Sequence, residues 1–110
     1  MKIILNADDF GMTHEANLGI EKAMQEGYCS QTSVVANTNY FEAVEIAQKH
    51  GFMDKVGLHI NLFDGTPLTG GIKKLKKYAR SDMFDYRPGI IYSHLPFYKD
   101  EIGEELEAQI

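Results

Sequence analysis

Apolar and polar positions run along the chain in blocks whose period changes. Residues 2–8 begin with Ile3-Ile4-Leu5 and end in acid, a pattern that predicts a short buried strand. Residues 14–26 carry Ala16, Ile20, Ala23 and Met24 at helical spacing. Thr13 can cap that helix, Glu15 suits its first turn, and Gly27 can end it. Residues 31–37 are β-prone and predict a second strand. Helical spacing returns over 40–50 through Phe41, Val44 and Ala47, and Gly51 stops it. Residues 56–62 predict a third strand. The order strand–helix–strand–helix–strand implies an α/β fold with parallel pairing.

Past Asp64 the pattern weakens. Gly65-Thr66-Pro67 and Gly70-Gly71 are turn signals. The segment 72–80 gathers Lys73, Lys74, Lys76, Lys77 and Arg80, which reads either as a nucleic-acid patch or as a solvated helix face. Residues 65–98 as a whole read as a loop or insertion. A last helix starts near Asp100, with Ile102, Leu106 and Ile110 at every fourth place and no breaker after them.

Charge and length narrow the classes. The chain has 110 residues, which suits one domain. Its net charge of −5 gives no general attraction for nucleic acid or for an anionic membrane, so the lysine run is read as a solvated face. No apolar run reaches the length of a membrane span, and the three aliphatics near Met1 are too few for a secretory signal, so a cytoplasmic location is the expectation. The one cysteine, Cys29, excludes an internal disulfide and reads as a small buried residue.

Two blocks carry chemistry. In Asn6-Ala7-Asp8-Asp9-Phe10-Gly11, two adjacent carboxylates stand at the C-terminal end of the first strand, where α/β folds place their sites. Two acids there repel each other unless a cation or a proton-accepting role offsets them. The plain alternative is a turn that favours Asp. In Gly57-Leu58-His59-Ile60-Asn61-Leu62, strand alternation would put His59 and Asn61 on one face and the aliphatics on the other. A lone strand His is more often packed in a core than bound to a metal. A carboxylate and an imidazole facing one cleft, however, supply two of the three protein ligands of a catalytic metal site.

These two blocks resemble the first signature blocks of YdjC-type carbohydrate deacetylases, a family that includes chito-oligosaccharide deacetylases. The resemblance extends to Ser33-Val34-Val35-Ala36-Asn37 and to Glu104-Glu105-Leu106-Glu107-Ala108-Gln109-Ile110. It implies the βαβαβ portion of an irregular TIM-like barrel, with residues 1–110 as the N-terminal part of one barrel domain. It also implies removal of acetyl groups from N-acetylated sugars. Asp8 falls where the family keeps its catalytic base, and Asp9 and His59 where it keeps two ligands to a divalent metal. Zinc suits an Asp and two His, and magnesium stays open. By the same resemblance the third ligand is a His in an Asp-Ser-His-x-His-type block absent from this sequence, and a general acid comes from the later part of the family's chain. A metal held this way polarises the acetamide carbonyl and acidifies water, whose proton Asp8 can accept. Asn61 is a substrate-orienting candidate, with polar packing support as its other reading.

From this follow an N-acetylated oligosaccharide as substrate, no nucleic-acid or membrane partner, and a homo-oligomer as an open option. Three parallel strands cannot close a barrel, so the chain is expected to be part of a longer enzyme and inactive alone, unless His94 completes the site. The rivals are a non-catalytic piece that binds sugar or a partner, and, more remotely, a phospho-receiver domain. The receiver reading is weakened because His59 and Asn61 occupy the stretch where its phospho-accepting Asp would end the third strand.

Overall fold

A computed structural model describes residues 1–70, 79–80, 83–84 and 97–110. The chain divides into two compact units, residues 1–59 and residues 60–110.

The first unit is built as the alternation predicts. Strand β1 (Asn6–Phe10) leads to helix α1 (His14–Gln25), strand β2 (Gln31–Val35), helix α2 (Tyr40–Lys49), a 3-10 turn (Met53–Lys55) and strand β3 (Val56–His59). The sheet order is β1-β2-β3, with both pairs parallel. Thr13 caps α1 by accepting the Ala16 N–H at 3.1 Å, and Gly27 leaves the helix with φ of 75°.

One face of the sheet carries the core. Phe10, Ile20, Ala43, Ala47 and Phe52 are buried together, with Ala7, Met24, Val34, Ile46 and Val56 packed against them. Both helices therefore contribute to one apolar layer on the sheet. The small Ala43 and Ala47 let α2 approach closely, and the large payload comes from Phe10 and Phe52, whose ring centroids are 6.1 Å apart. Strand alternation then turns Asn6, Asp8, Ser33 and His59 to the other face, away from that core.

Three expectations need correction. The first strand is Asn6–Phe10, not 2–8, so Asp8 and Asp9 lie within it. Ile3, Ile4 and Leu5 are more than half exposed, because the helices cover the sheet at Ala7 and Phe10 instead. The third strand ends at His59, not at residue 62, so the alternation that would pair His59 with Asn61 on one strand face does not run that far.

In the second unit, short antiparallel strands β4 (Ala79–Arg80) and β5 (Met83–Phe84) precede helix α3 (Lys99–Gln109). Ala79 and Arg80 are thus strand, which corrects a helix over 72–80 at its end; residues 72–78 lie outside the described residues. So does most of the expected 65–98 loop. Phe84 and Ile102 are buried, with Leu62, Phe63, Tyr98 and Leu106 around them. The expected stripe on α3 is therefore covered at Ile102 and partly at Leu106, while Ile110 is 90% exposed.

A polar seam beside that stripe escaped sequence reasoning. Glu105 is fully buried, and its carboxylate accepts the N–H groups of Leu68 and Thr69, the Thr69 hydroxyl and the Gln109 amide. Gln109 in turn donates to the Asn61 carbonyl at 2.7 Å and accepts the Asn61 N–H at 3.0 Å. A carboxyl group this deep is tolerated because four donors replace its water.

Candidate active site

The site grows from an irregularity in β1. Asn6 and Ala7 pair with Gln31 and Thr32, yet Phe10 pairs with Val34, so the register shifts between Ala7 and Phe10. Asp8 and Asp9 occupy the shift. Asp9 takes φ of 69°, the left-handed region that Asp enters more readily than most residues. Bulges of this kind re-aim side chains beside active sites. Adjacent carboxylates on a regular strand would point to opposite faces; here the bulge removes that constraint.

The turn that follows is held on every side. Gly11 has φ of 91°, and a Cβ on it would come within 3.2 Å of Tyr40 Cα and of the Val35 carbonyl. Its N–H donates to Asn17 Oδ1 at 2.6 Å, and its carbonyl accepts the Asn39 N–H at 2.7 Å and the Thr38 hydroxyl at 2.6 Å. Asn17 is completely buried on α1 and passes its own amide on to Glu42 Oε2 at 2.7 Å. Glu42 also receives the Asn39 amide and pairs with His14. The segment carrying Asp9 is thereby pinned to the starts of both helices.

His59 ends β3 and faces this turn. Its Nδ1 lies 3.6 Å from Asp9 Oδ1 and accepts the Asp9 backbone N–H at 3.4 Å. At 3.6 Å the Nδ1–Oδ1 contact is longer than a hydrogen bond. Two donors bound at about 2.0–2.2 Å to one tetrahedral ion sit roughly 3.3–3.6 Å apart. The oxygen–nitrogen separation thus fits a shared metal ion, which would take the Nδ1 lone pair in place of the Asp9 N–H. Among the described residues no three ligating side chains gather into a metal site.

Asp8 is treated differently by its surroundings. Its Oδ1 accepts the Ser33 hydroxyl at 2.9 Å and the Asn6 amide at 2.6 Å. The Ser33 and Asn6 hydrogen bonds, with a lesser pull from His59 and against a small cost of burial, hold the Asp8 carboxyl below the usual carboxylate range. Asp8 is therefore ionised and exposed, ready to accept a proton. Ser33 Oγ also stands 3.5 Å from His59 Nδ1, on the strand between the two chemical blocks.

Sequence reasoning missed Ser33, Asn17 and Glu42. Ser33 had a readable signal: a hydroxyl in a β-prone strand, on the face opposite Thr32 and Val34. Asn17 had none, since a polar residue in a helix is ordinarily solvated. Asn61 belongs to the second unit, where its side chain accepts the N–H groups of Phe63 and Asp64 and donates to the Asp64 carbonyl, bracing its own loop. His94 lies outside the described residues. No helix among those described is long and apolar enough to cross a membrane.

Comparison with known proteins points one way. A family model described as YdjC-like protein matches residues 2–110. Carbohydrate deacetylase 2 of Listeria innocua is 34% identical over 110 residues, covering 99% of this chain and 42% of its own length. A carbohydrate deacetylase of Brevibacillus brevis is 35% identical over 111 residues, again with 42% of its length covered. The chain therefore spans about two-fifths of the length of these curated relatives. Among solved structures, a candidate cellobiose-phosphate cleavage protein from Enterococcus faecalis superposes with a TM-score of 0.77 at 25% identity, over 97% of this chain and 41% of that one.

Proposed function

We infer the reaction from one premise: this chain belongs to the YdjC-like protein family. It contributes the base and two metal ligands of a metal-dependent hydrolase that removes acetyl groups from N-acetylated sugars of the chito-oligosaccharide kind. The observation that carries this reading is the approach of Asp9 Oδ1 to His59 Nδ1 at 3.6 Å with the ionised Asp8 alongside.

Asp9 and His59 would hold one divalent ion, zinc or magnesium, through oxygen and an unprotonated imidazole nitrogen. Such an ion supplies Lewis-acid polarisation of an amide carbonyl and acidifies water. Asp8 accepts the proton of the attacking water, and its low proton affinity keeps it ionised at neutral pH. A third ligand and the acid that protonates the leaving amine would come from outside the described residues. The contacts of Asn61 favour its supporting role over a hold on substrate.

Names among the comparisons suggest carbohydrate in two forms: an acetylated one for the relatives, a phosphorylated disaccharide for the structural neighbour. The bulge with two carboxylates and a metal-ready imidazole favours amide hydrolysis. The test is acetate release from N-acetyl-chito-oligosaccharides, by this chain alone and by the chain extended to its relatives' length, with metal stripped and restored. Acetate should appear with the extended protein, vanish on chelation and return with a divalent ion. Cleavage of cellobiose-phosphate without acetate release from any N-acetylated sugar would overturn the reading.

A further inference from the structure

Two neighbouring carboxylates beside one cation raise a question of division of labour. A free Asp8 would be drawn to a dication as strongly as Asp9 is, and a carboxylate spent on the ion can no longer take a proton from water. Something must hold the two apart in function.

The hydrogen bonds around Asp8 supply that difference. Asp8 Oδ1 receives two donors, the Ser33 hydroxyl at 2.9 Å and the Asn6 amide at 2.6 Å, and these donors are themselves joined, Asn6 Nδ2 to Ser33 Oγ at 3.2 Å. Ser33 sits on β2, the central strand, between β1 with both carboxylates and β3 with His59. Its position there is fixed by the ladder: Thr32 and Val34 on either side pair with Val56 and Leu58. Among the described residues no hydrogen bond ties the side chain of Asp9, whose Oδ1 faces His59 Nδ1.

We propose that Ser33 is a positioning residue which, with Asn6, ties Asp8 off the cation and so reserves it for water, leaving Asp9 as the carboxylate that binds the ion. This rests on the metal-hydrolase reading above and adds to it the residue that separates base from ligand. The Ser33 hydroxyl has one proton to give, and giving it to Asp8 at 2.9 Å means that it is not given to His59 Nδ1 at 3.5 Å.

Cobalt(II) chloride titrated into the chain extended to its relatives' length tests this without any assay of turnover, because four-coordinate cobalt absorbs visible light far more strongly than six-coordinate cobalt. In Ser33→Ala, the released Asp8 should join the ion, and the visible band should weaken several-fold while cobalt binds no more weakly than in the parent. Ser33→Thr, which keeps the hydroxyl, should keep the parent band. Asn6→Ala removes the second donor and should move the band the same way to a lesser degree, which keeps the test open if one variant folds poorly. In an Asp8→Asn background the Ser33→Ala change should have no further effect on the band. A band unchanged in Ser33→Ala, or one that weakens equally in the Asp8→Asn background, overturns this role alone. A parent protein that leaves cobalt unbound overturns the metal reading and this role with it.

Discussion

Asp9 and His59, fifty positions apart in sequence, bring a carboxylate oxygen and an imidazole nitrogen to within 3.6 Å of each other. Two parallel strands that share a neighbour make the approach, and a bulge in the first of them aims the carboxylate. Asp8 stands beside the pair but is bound to Ser33 and Asn6.

The separation of roles predicts a split phenotype for Asp8→Asn. Asparagine preserves shape and removes the proton acceptor. Turnover should fall by a factor of roughly 10²–10⁴ while metal content holds. Activity that excess metal restores would instead make Asp8 a ligand.

Gly11→Ala should destabilise the fold through the turn. The new Cβ meets backbone atoms at 3.2 Å, and φ of 91° is unfavourable for any L side chain. A loss of at least about 1–2 kcal/mol in denaturant unfolding is expected. An unchanged midpoint would mean that the turn relaxes freely and does not fix Asp9.

Asn17→Leu tests the clamp from the helix side. It keeps the branching of the side chain but strips the Gly11 N–H of its acceptor, in a buried setting, and Glu42 of a donor, in a part-buried one. Roughly 1–3 kcal/mol of stability should be lost, and metal affinity should weaken with it as the Asp9 turn loosens. Loss of stability with metal affinity intact would confine Asn17 to packing.

These residues show what a sequence can and cannot disclose. The α/β alternation was legible because apolar period is a direct imprint of which face is buried, and the caps at Thr13 and Gly27 added local chemistry. Asp8, Asp9 and His59 were legible because charge at strand ends is costly without a purpose. The strand boundaries were not: Ile3-Ile4-Leu5 has every mark of a buried strand, but burial depends on where the helices land. Asn17 and Glu105 were hidden for the same reason, since a polar helical residue is buried only when partners from distant segments satisfy it.

A pH dependence follows from His14 and Glu42. The hydrogen bond to Glu42, and then its charge with help from Glu15, raises the His14 imidazole above its ordinary 6.5. The hydrogen bonds from His14 and Asn17 lower Glu42 below its ordinary 4.5. Stability from the raised His is full below 6.5 and fades as pH rises through its folded value, while that from the lowered Glu is full above 4.5 and fades as pH falls through its folded value. Their joint contribution is therefore greatest between those two pH values. The melting-temperature gap between parent and His14→Gln should be widest in that window and close as pH rises through the folded value of His14. A gap constant across pH would show that the pair contributes by packing alone.

X-ray absorption at the zinc edge, on the zinc-loaded protein, reads the central pair most directly. One imidazole nitrogen and carboxylate oxygen at about 2.0–2.2 Å should appear in the parent. His59→Ala should remove the imidazole scattering, and both it and Asp9→Ala should bind zinc more weakly. Zinc held as tightly by both variants, with the imidazole signal undiminished, would contradict the assignment of Asp9 and His59 as its ligands.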